Sequence, residues 1–383
     1  MKKIAILVFF TVGFFVHVWA CTGLIAGKQA TVDGSVLVTY SADSHTLYGA
    51  LTSSPAADWP KGSMRSIVEW DTNKPLGEIE QVEHTYAVIG NMNEHQLTVV
   101  ESTWGGRPEL VDTTGIIDYG SLMQLALERA KTAREAIKVM TGLVKKYGYY
   151  SSGESFTIAD PNEAWILDLI GKGPGRRGAV WVAVRIPDDC IAGHANYPRI
   201  HKIPMDDKEN CLYSPDVISF AREMGYFDGL NKDFSFARAY SPADFGALRA
   251  CDARVWSFFR KYDSTMDNYL PYVNGESAEP FPLYVKPSRK LSVQDMKEAM
   301  RDHFEDTPFD MTQDVGAGPF KVPYRFRPMS FEVDGKSYCM ERAIATQQTG
   351  FTLVGQMRNW LPDPVGGVLW FGVDDANTCL LYT

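Results

Sequence analysis

The sequence predicts an α+β chain in which two mostly antiparallel sheets are packed together and flanked by helices, giving four layers in the order αββα. Three observations carry this. Period-two apolar runs and helical periodicities come in blocks: strands, two helices, strands, then helices again. The strand runs are joined by short turn signals of the Asp33-Gly34 kind, which connect neighbouring antiparallel strands. A hydrophobic content of 45% with 12% aromatics supplies a large core and excludes a disordered chain.

Thr22 to Gly27 reads as a first strand, Asp33-Gly34 as its turn and Ser35 to Tyr40 as its partner. Thr85 to Gly90 and Leu97 to Val100 form a second pair around a turn at Asn93-Glu94. A helix over about Tyr119 to Ala130 places Leu122, Leu125 and Ala126 on one face. A second opens with the capping-box pattern Thr132 to Glu135, carries Ile137, Met140 and Val144 at helical spacing, and stops near Gly148. Phe156 to Ala159 and Trp165 to Ile170 form a hairpin around residues 160–163, and Trp181 to Ile186 adds a strand. Ile200 to Tyr240 is punctuated by proline and carries no clear period. Ala247 to Tyr262 and Val293 to Phe304 read as helices, the latter behind a Ser292 cap with Asp295 three residues on. Gly350 to Val354 and Val368 to Val373 close the chain as strands. With no repeat and no linker, residues 21–383 are expected to form one integrated domain.

Residues 1–20 read as a secretory signal peptide: Lys2 and Lys3 precede an apolar run from Ile4 to Val16, and Val18 and Ala20 stand at cleavage-site positions. The run is shorter than the roughly 20 residues a membrane-spanning helix needs. Cleavage after Ala20 leaves 363 residues with 36 basic and 47 acidic side chains, a net charge near −11. Such a surface disfavours nucleic acid and anionic membrane as partners. The expected location is exported, periplasmic or extracellular; homo-oligomerisation is left open. A competing reading is the site at which bacterial lipoproteins are cut and lipidated on cysteine. Against it stand the bulky Trp19 and the immediate strand at Thr22 to Ala26, where a polar tether is usual.

The six cysteines, Cys21, Cys190, Cys211, Cys251, Cys339 and Cys379, contain no CxxC and no zinc spacing; export permits disulfides, but an odd five besides Cys21 does not demand them, and buried free thiols are the plainer reading. Cys21 stands apart. As the first residue of a cleaved chain it holds a thiol and a free α-amine together. Their reference pKa values, about 8.5 and about 7.7–8.0, are close enough for the amine to take the thiol proton near neutral pH. That is the equipment of nucleophilic acyl transfer, and it calls for no cofactor, metal or histidine. No GxSxG elbow and no HExxH helix occurs. The glycine-rich stretch 171–178 lacks P-loop spacing and its Ser/Thr, and reads as a hairpin loop.

The start CTGLIAGKQATVDGSVLVTYSAD resembles the dipeptidase A-like cysteine peptidases, N-terminal-nucleophile (Ntn) hydrolases related to penicillin V acylase and bile salt hydrolase. NMNEHQLTVVEST, GESFTIADPNEAWILDL, VWVAVRIPDDCIAGHANYPRI, RDHFEDTPFD and LWFGVDD match in order, so the resemblance spans most of residues 21–383. It implies the Ntn sandwich, an exported cysteine dipeptidase and a small peptide as substrate. It also implies Cys21 as nucleophile and Asp43 near the nucleophile's amine. The family's arginine three residues before that aspartate is replaced by Tyr40, which cannot carry a permanent positive charge. Asn196 resembles an active-site asparagine of the related acylases. Thr103 falls where they have an oxyanion-hole asparagine, so its hydroxyl or a nearby backbone N–H would serve. Arg254, in CDARVWS, is the candidate late arginine, with Arg249 its competitor.

Each residue also has a plain structural reading: Asp43 and Asn196 as turn residues, Thr103 as an ordinary strand threonine, Arg254 as a surface charge, Asn93-Glu94 as turn chemistry, and His194 as structural. Two alternatives differ in function. One is a choloylglycine or penicillin V-type amidase, which an apolar acyl pocket would mark. The other is a lipidated, non-catalytic surface protein on the same scaffold. Members of the resembled family commonly continue beyond LWFGVDD, so a C-terminally truncated domain is also an expectation.

Overall fold

The computed structural model describes residues 21–44, 47–325, 330–377 and 381–382; the expected signal peptide at 1–20 and Cys379 lie outside them. The elements that build the site are β1 (Thr22–Ala26), β2 (Val36–Asp43), β3 (Thr98–Trp104), α1 (Tyr119–Arg129), α2 (Ala133–Tyr147), β4 (Gly153–Ala159), β5 (Ala164–Gly171), β6 (Ala179–Ile186), β7 (Ile191–His194), α3 (Ala253–Arg260), α4 (Val293–Ala299), β8 (Thr349–Met357) and β9 (Val368–Val373).

Two sheets hold these strands, all paired antiparallel. The first runs Tyr284–Val285, β7, β1, β2, β8, β9, Leu381–Tyr382. The second runs Cys211–Tyr213, β6, β5, β4, β3, Met92–Asn93, Val88–Ile89, Ser53–Ser54. Strand alternation sorts the side chains. Val36, Val38 and Tyr40 of β2 share a core with Val100 of β3, Ile166 and Ile170 of β5 and Val180 of β6, so the two sheets face one another. Leu37 of β2 and Leu24 of β1 pack instead with Val255, Trp256 and Phe259 of α3 and Met296 of α4. Trp165, Leu167 and Leu169 of β5 pack with Leu122 and Leu125 of α1 and Ile137 and Met140 of α2. Strands buried on both faces explain why Val36 to Tyr40 and Ala164 to Ile170 are apolar but for Thr39 and Asp168.

The local signals act largely as read. Asp118 caps α1 through Ser121 N–H. Thr132 caps α2 through Glu135 N–H, but the Glu135 carboxylate accepts from Lys131 N–H, one residue earlier than a reciprocal box requires. Ser292 and Asp295 make the full box at α4. That helix ends at Ala299, short of the expected Phe304, because the chain turns there and Phe304 (φ +65°) enters the core behind α3. Before α3 the helix widens into a π-type turn over Ala247–Asp252. The glycine-rich loop joins β5 to β6 with residues 174–177 exposed. Cys21, Cys190, Cys211, Cys251 and Cys339 are free thiols.

Candidate active site

Register puts Cys21 where it is. β1 pairs with β2 as Thr22↔Ser41, so Cys21, one residue ahead of β1, comes level with Ala42 at the end of β2, next to Asp43. It is buried and lines a cavity of about 250 Å³ together with Tyr40, Asp43, Glu101, Thr103 and Tyr119.

Arg254 ties this corner together. Its fully buried guanidinium donates from Nη1 to the Cys21 carbonyl (2.8 Å) and Thr22 Oγ1 (2.7 Å), and from Nη2 to the Ala195 carbonyl (3.1 Å) and Asn196 Oδ1 (2.7 Å). Nε donates to Ala250 O within the same helical stretch (2.8 Å). A planar fork can reach these acceptors at once; a lysine cannot. Burial and neighbouring Arg342 lower its pKa to about 10, so it remains a cation at neutral pH. Asn196 follows β7 in the left-handed region (φ +58°), which asparagine tolerates better than most residues. Its Nδ2 donates to the Thr103 carbonyl at 2.5 Å. Cys21, Arg254, Asn196 and Thr103 therefore form one hydrogen-bonded chain.

Thr103 lies on β3 beyond the point where its outer neighbour ends; that neighbour pairs with it only at Thr98. Val99 N–H donates to Asn91 O on the open edge, and Thr103 O accepts from Asn196 on the same edge. By antiparallel alternation the Thr103 N–H points there too. The Thr103 hydroxyl is committed to Glu154 Oε1 (2.7 Å).

Asp43 is held from three sides: it pairs with Arg342 and accepts from Thr349 Oγ1 (2.6 Å) and Ser41 Oγ (3.2 Å). Tyr40, in the place of the expected arginine, lies with its hydroxyl 3.6 Å from Cys21 Sγ and hydrogen-bonded to Glu101 Oε1. Burial, followed by the charges of Glu101 and Asp43, raises the thiol pKa well above its ordinary value; the Asp43 backbone N–H and the Tyr40 hydroxyl act in the opposite direction. Burial raises the Glu101 carboxyl, and burial together with Glu101 raises that of Glu154.

The other candidates sit elsewhere. Arg249 pairs with Glu341 (2.8 Å), bonds Asn274 and stacks on Phe309. The Asn93 side chain binds the Leu127 and Ala130 carbonyls and the His95 and Leu97 N–H groups, closing its turn, while Glu94 is exposed. His194 straps the sheets together: Nδ1 meets Ser102 Oγ of β3 (2.6 Å) and Nε2 meets Thr157 Oγ1 of β4 (2.8 Å). Burial and Arg254 push it down to about 3, leaving it neutral. Its ring occupies the space over Gly23, where a Cβ would come within 2.9 Å of it, which accounts for the glycine in the CTG start.

Glu101, Glu154, Arg342 and Thr349 were not anticipated. The first two had a signal: single acids inside otherwise apolar or hydroxylated strands (TVVESTW, GESFTIA) are costly to bury without a purpose. Arg342 and Thr349 reach Asp43 from some 300 residues away, and no local pattern marks them.

Comparison with known proteins bears on this geometry. The chain is similar to a probable dipeptidase of Salmonella dublin (28% identical, covering 76% of this chain and 68% of the relative). It is similar to a probable dipeptidase of Latilactobacillus sakei (25%, 94% and 72%) and to dipeptidase A of Lactobacillus helveticus (25%, 94% and 74%). The profile of peptidase family C69 matches residues 20–382, nearly the whole sequence including every residue of the Cys21 corner, and the chain belongs to that family.

Proposed function

We propose that this chain is an exported cysteine dipeptidase that becomes active when residues 1–20 are removed and Cys21 becomes its amino terminus. The observation that carries the reading is the hydrogen-bonded chain from the Cys21 carbonyl through Arg254 and Asn196 to Thr103 beside a cavity. In a peptidase family whose relatives are named dipeptidases, it supplies a nucleophile with donors close by. The two facing sheets with helices on their outer faces fit the four-layer Ntn sandwich.

In the proposed reaction the freed α-amine takes the Cys21 thiol proton and the thiolate attacks the peptide carbonyl carbon. The oxyanion is met by Asn196 Nδ2, which turns from the Thr103 carbonyl, and by the Thr103 N–H on the open edge of β3. Asp43, fixed by Arg342, holds the amine. The C–N bond breaks as the ammonium returns its proton to the departing amine, leaving a thioester on Cys21. Water, deprotonated by the same amine, attacks the thioester; the acid leaves and the thiol is restored. Arg254 positions both Cys21 and Asn196.

Hydrolysis of alanyl-alanine by purified mature chain tests this. Cys21→Ala should abolish turnover with the fold retained, and a precursor that keeps its leader should be inactive, since its Cys21 nitrogen is an amide. Full activity in either sinks the reading.

A further inference from the structure

Three carboxyl side chains, Asp43, Asp71 and Glu101, line the cavity that holds Cys21; among the described lining residues there is no lysine, arginine or histidine. Asp43 is already matched by Arg342. Glu101 is not matched by a cation. It is buried, and the groups that bond it are all uncharged or acidic: the Tyr40 hydroxyl at Oε1 and the Glu154 and Cys21 side chains, with Thr103 Oγ1 3.4 Å from Oε2. Behind it Glu154 takes the Thr103 hydroxyl on Oε1 and meets the Glu101 carboxyl itself. A buried carboxylate is retained at a cost unless a counter-charge joins it. Here two carboxyls lie together under a cavity, and among the described residues no side chain supplies either with that charge, while the Cys21 amine is assigned to Asp43.

The distances say where the missing cation would sit. Glu101 Oε1 is bonded to the hydroxyl that stands 3.6 Å from Cys21 Sγ, so the carboxylate is one side chain away from the sulfur. In a near-attack pose the scissile carbonyl carbon lies about 3–3.5 Å from that sulfur. The α-nitrogen of the substrate residue that acylates Cys21 is one carbon further on, within reach of Glu101.

We infer that Glu101, backed by Glu154, receives the α-ammonium of the substrate and restricts the enzyme to peptides with an unblocked amino terminus. This rests on the dipeptidase reading above and supplies its substrate selection. It gives Tyr40 a role as well. While the site is empty its hydroxyl is shared between Glu101 and the sulfur; an ammonium on that carboxylate turns the hydroxyl wholly to the thiolate and offsets the negative charge that opposes thiol ionisation. Substrate then helps to activate the nucleophile that attacks it. The neutral amide nitrogen of an N-acylated peptide does neither.

The test compares alanyl-alanine with N-acetyl-alanyl-alanine on the mature chain, beside Glu101→Gln and Cys21→Ala. Sites that bind a polar substrate group in a buried pocket reject analogues lacking it by about 10⁴-fold. Wild-type kcat/KM should therefore be at least about 1000-fold lower for the acetylated peptide. Glu101→Gln should lose at least about 100-fold on the free dipeptide and lose it selectively, so that the ratio between the two peptides collapses. Comparable wild-type rates on the two peptides overturn the inference, whether or not the variant folds. So does a folded Glu101→Gln that keeps the wild-type ratio. Turnover persisting in Cys21→Ala overturns the nucleophile instead, while the ratio between the two peptides still decides the role of Glu101.

Discussion

Replacing Arg254 by lysine preserves the charge and removes the fork. The arginine makes five hydrogen bonds, to Ala250 O, Cys21 O, Thr22 Oγ1, Ala195 O and Asn196 Oδ1, at 2.7–3.1 Å. A lysine ammonium has three donors on one nitrogen, so at least two acceptors are abandoned in a fully buried place. Bonds from a charged donor contribute about 1.5–3 kcal/mol each, which puts the destabilisation at about 3–6 kcal/mol. Melting temperature falls about 1.3 °C per kcal/mol in a chain of this size, so Tm should drop by about 4–8 °C. Activity suffers separately. Asn196 loses the bond that orients its amide, and a misplacement of about 1 Å costs about 100-fold in rate. Thermal melting and steady-state kinetics on Arg254→Lys read both quantities. The expected outcome is a folded protein with kcat down about 100-fold and KM changed little. A variant with kcat within about threefold of wild type and an unmoved Tm would refute the positioning role.

Further consequences can be measured on single substitutions. Tyr40→Phe removes a hydroxyl that favours the thiolate, so the pH at which Cys21 alkylation half-rises should move up; a curve that stays put contradicts that role. Gly23→Ala sets a Cβ 2.9 Å from a His194 ring whose two nitrogens are both bonded, and should cost about 1–3 kcal/mol, seen as a lower Tm. His194 titrates near 3 in the fold against about 6.5 unfolded, so its contribution is complete above pH 6.5 and is lost as pH falls toward 3. Asp168, raised to about 6 chiefly by burial, works in the opposite sense, contributing below its ordinary value and losing that contribution as pH rises through 6. The His194 share is therefore the difference between denaturation curves of wild type and His194→Gln, which should have a flatter acid limb; equal slopes would show that the strap carries no proton linkage.

How much of this was legible beforehand follows from the range of each interaction. Asp33-Gly34, the Ser292-Asp295 box and the stripe Ile137, Met140, Val144 act within one turn or one helix, and a sequence displays such patterns directly. Residues 200–240 resisted because they form short pieces, Cys211–Tyr213, Val217–Glu223 and Phe236–Tyr240. These are held by a non-periodic cluster of Phe220, Phe234, Phe236 and Tyr240. At the site, Cys21 was marked by the lysines and apolar run of residues 2–16 ahead of it. Asp43, Thr103, Asn196 and Arg254 came through resemblance, and the structure brings them to one corner. Their supports did not come through. Arg342 meets Asp43 across the chain, and the pairing of Glu101 with Tyr40 exists only because β3 of one sheet faces β2 of the other.

The central claim is that cleavage leaves Cys21 as a free amino terminus with a reactive thiol. Intact-mass and peptide mapping of the secreted protein after brief exposure to a cysteine-reactive probe measure this directly. The expected result is a chain that begins at Cys21, carries no lipid, and takes the probe on that sulfur in a manner that alanyl-alanine suppresses. A chain that begins elsewhere, or a diacylglyceryl group on Cys21, would contradict it.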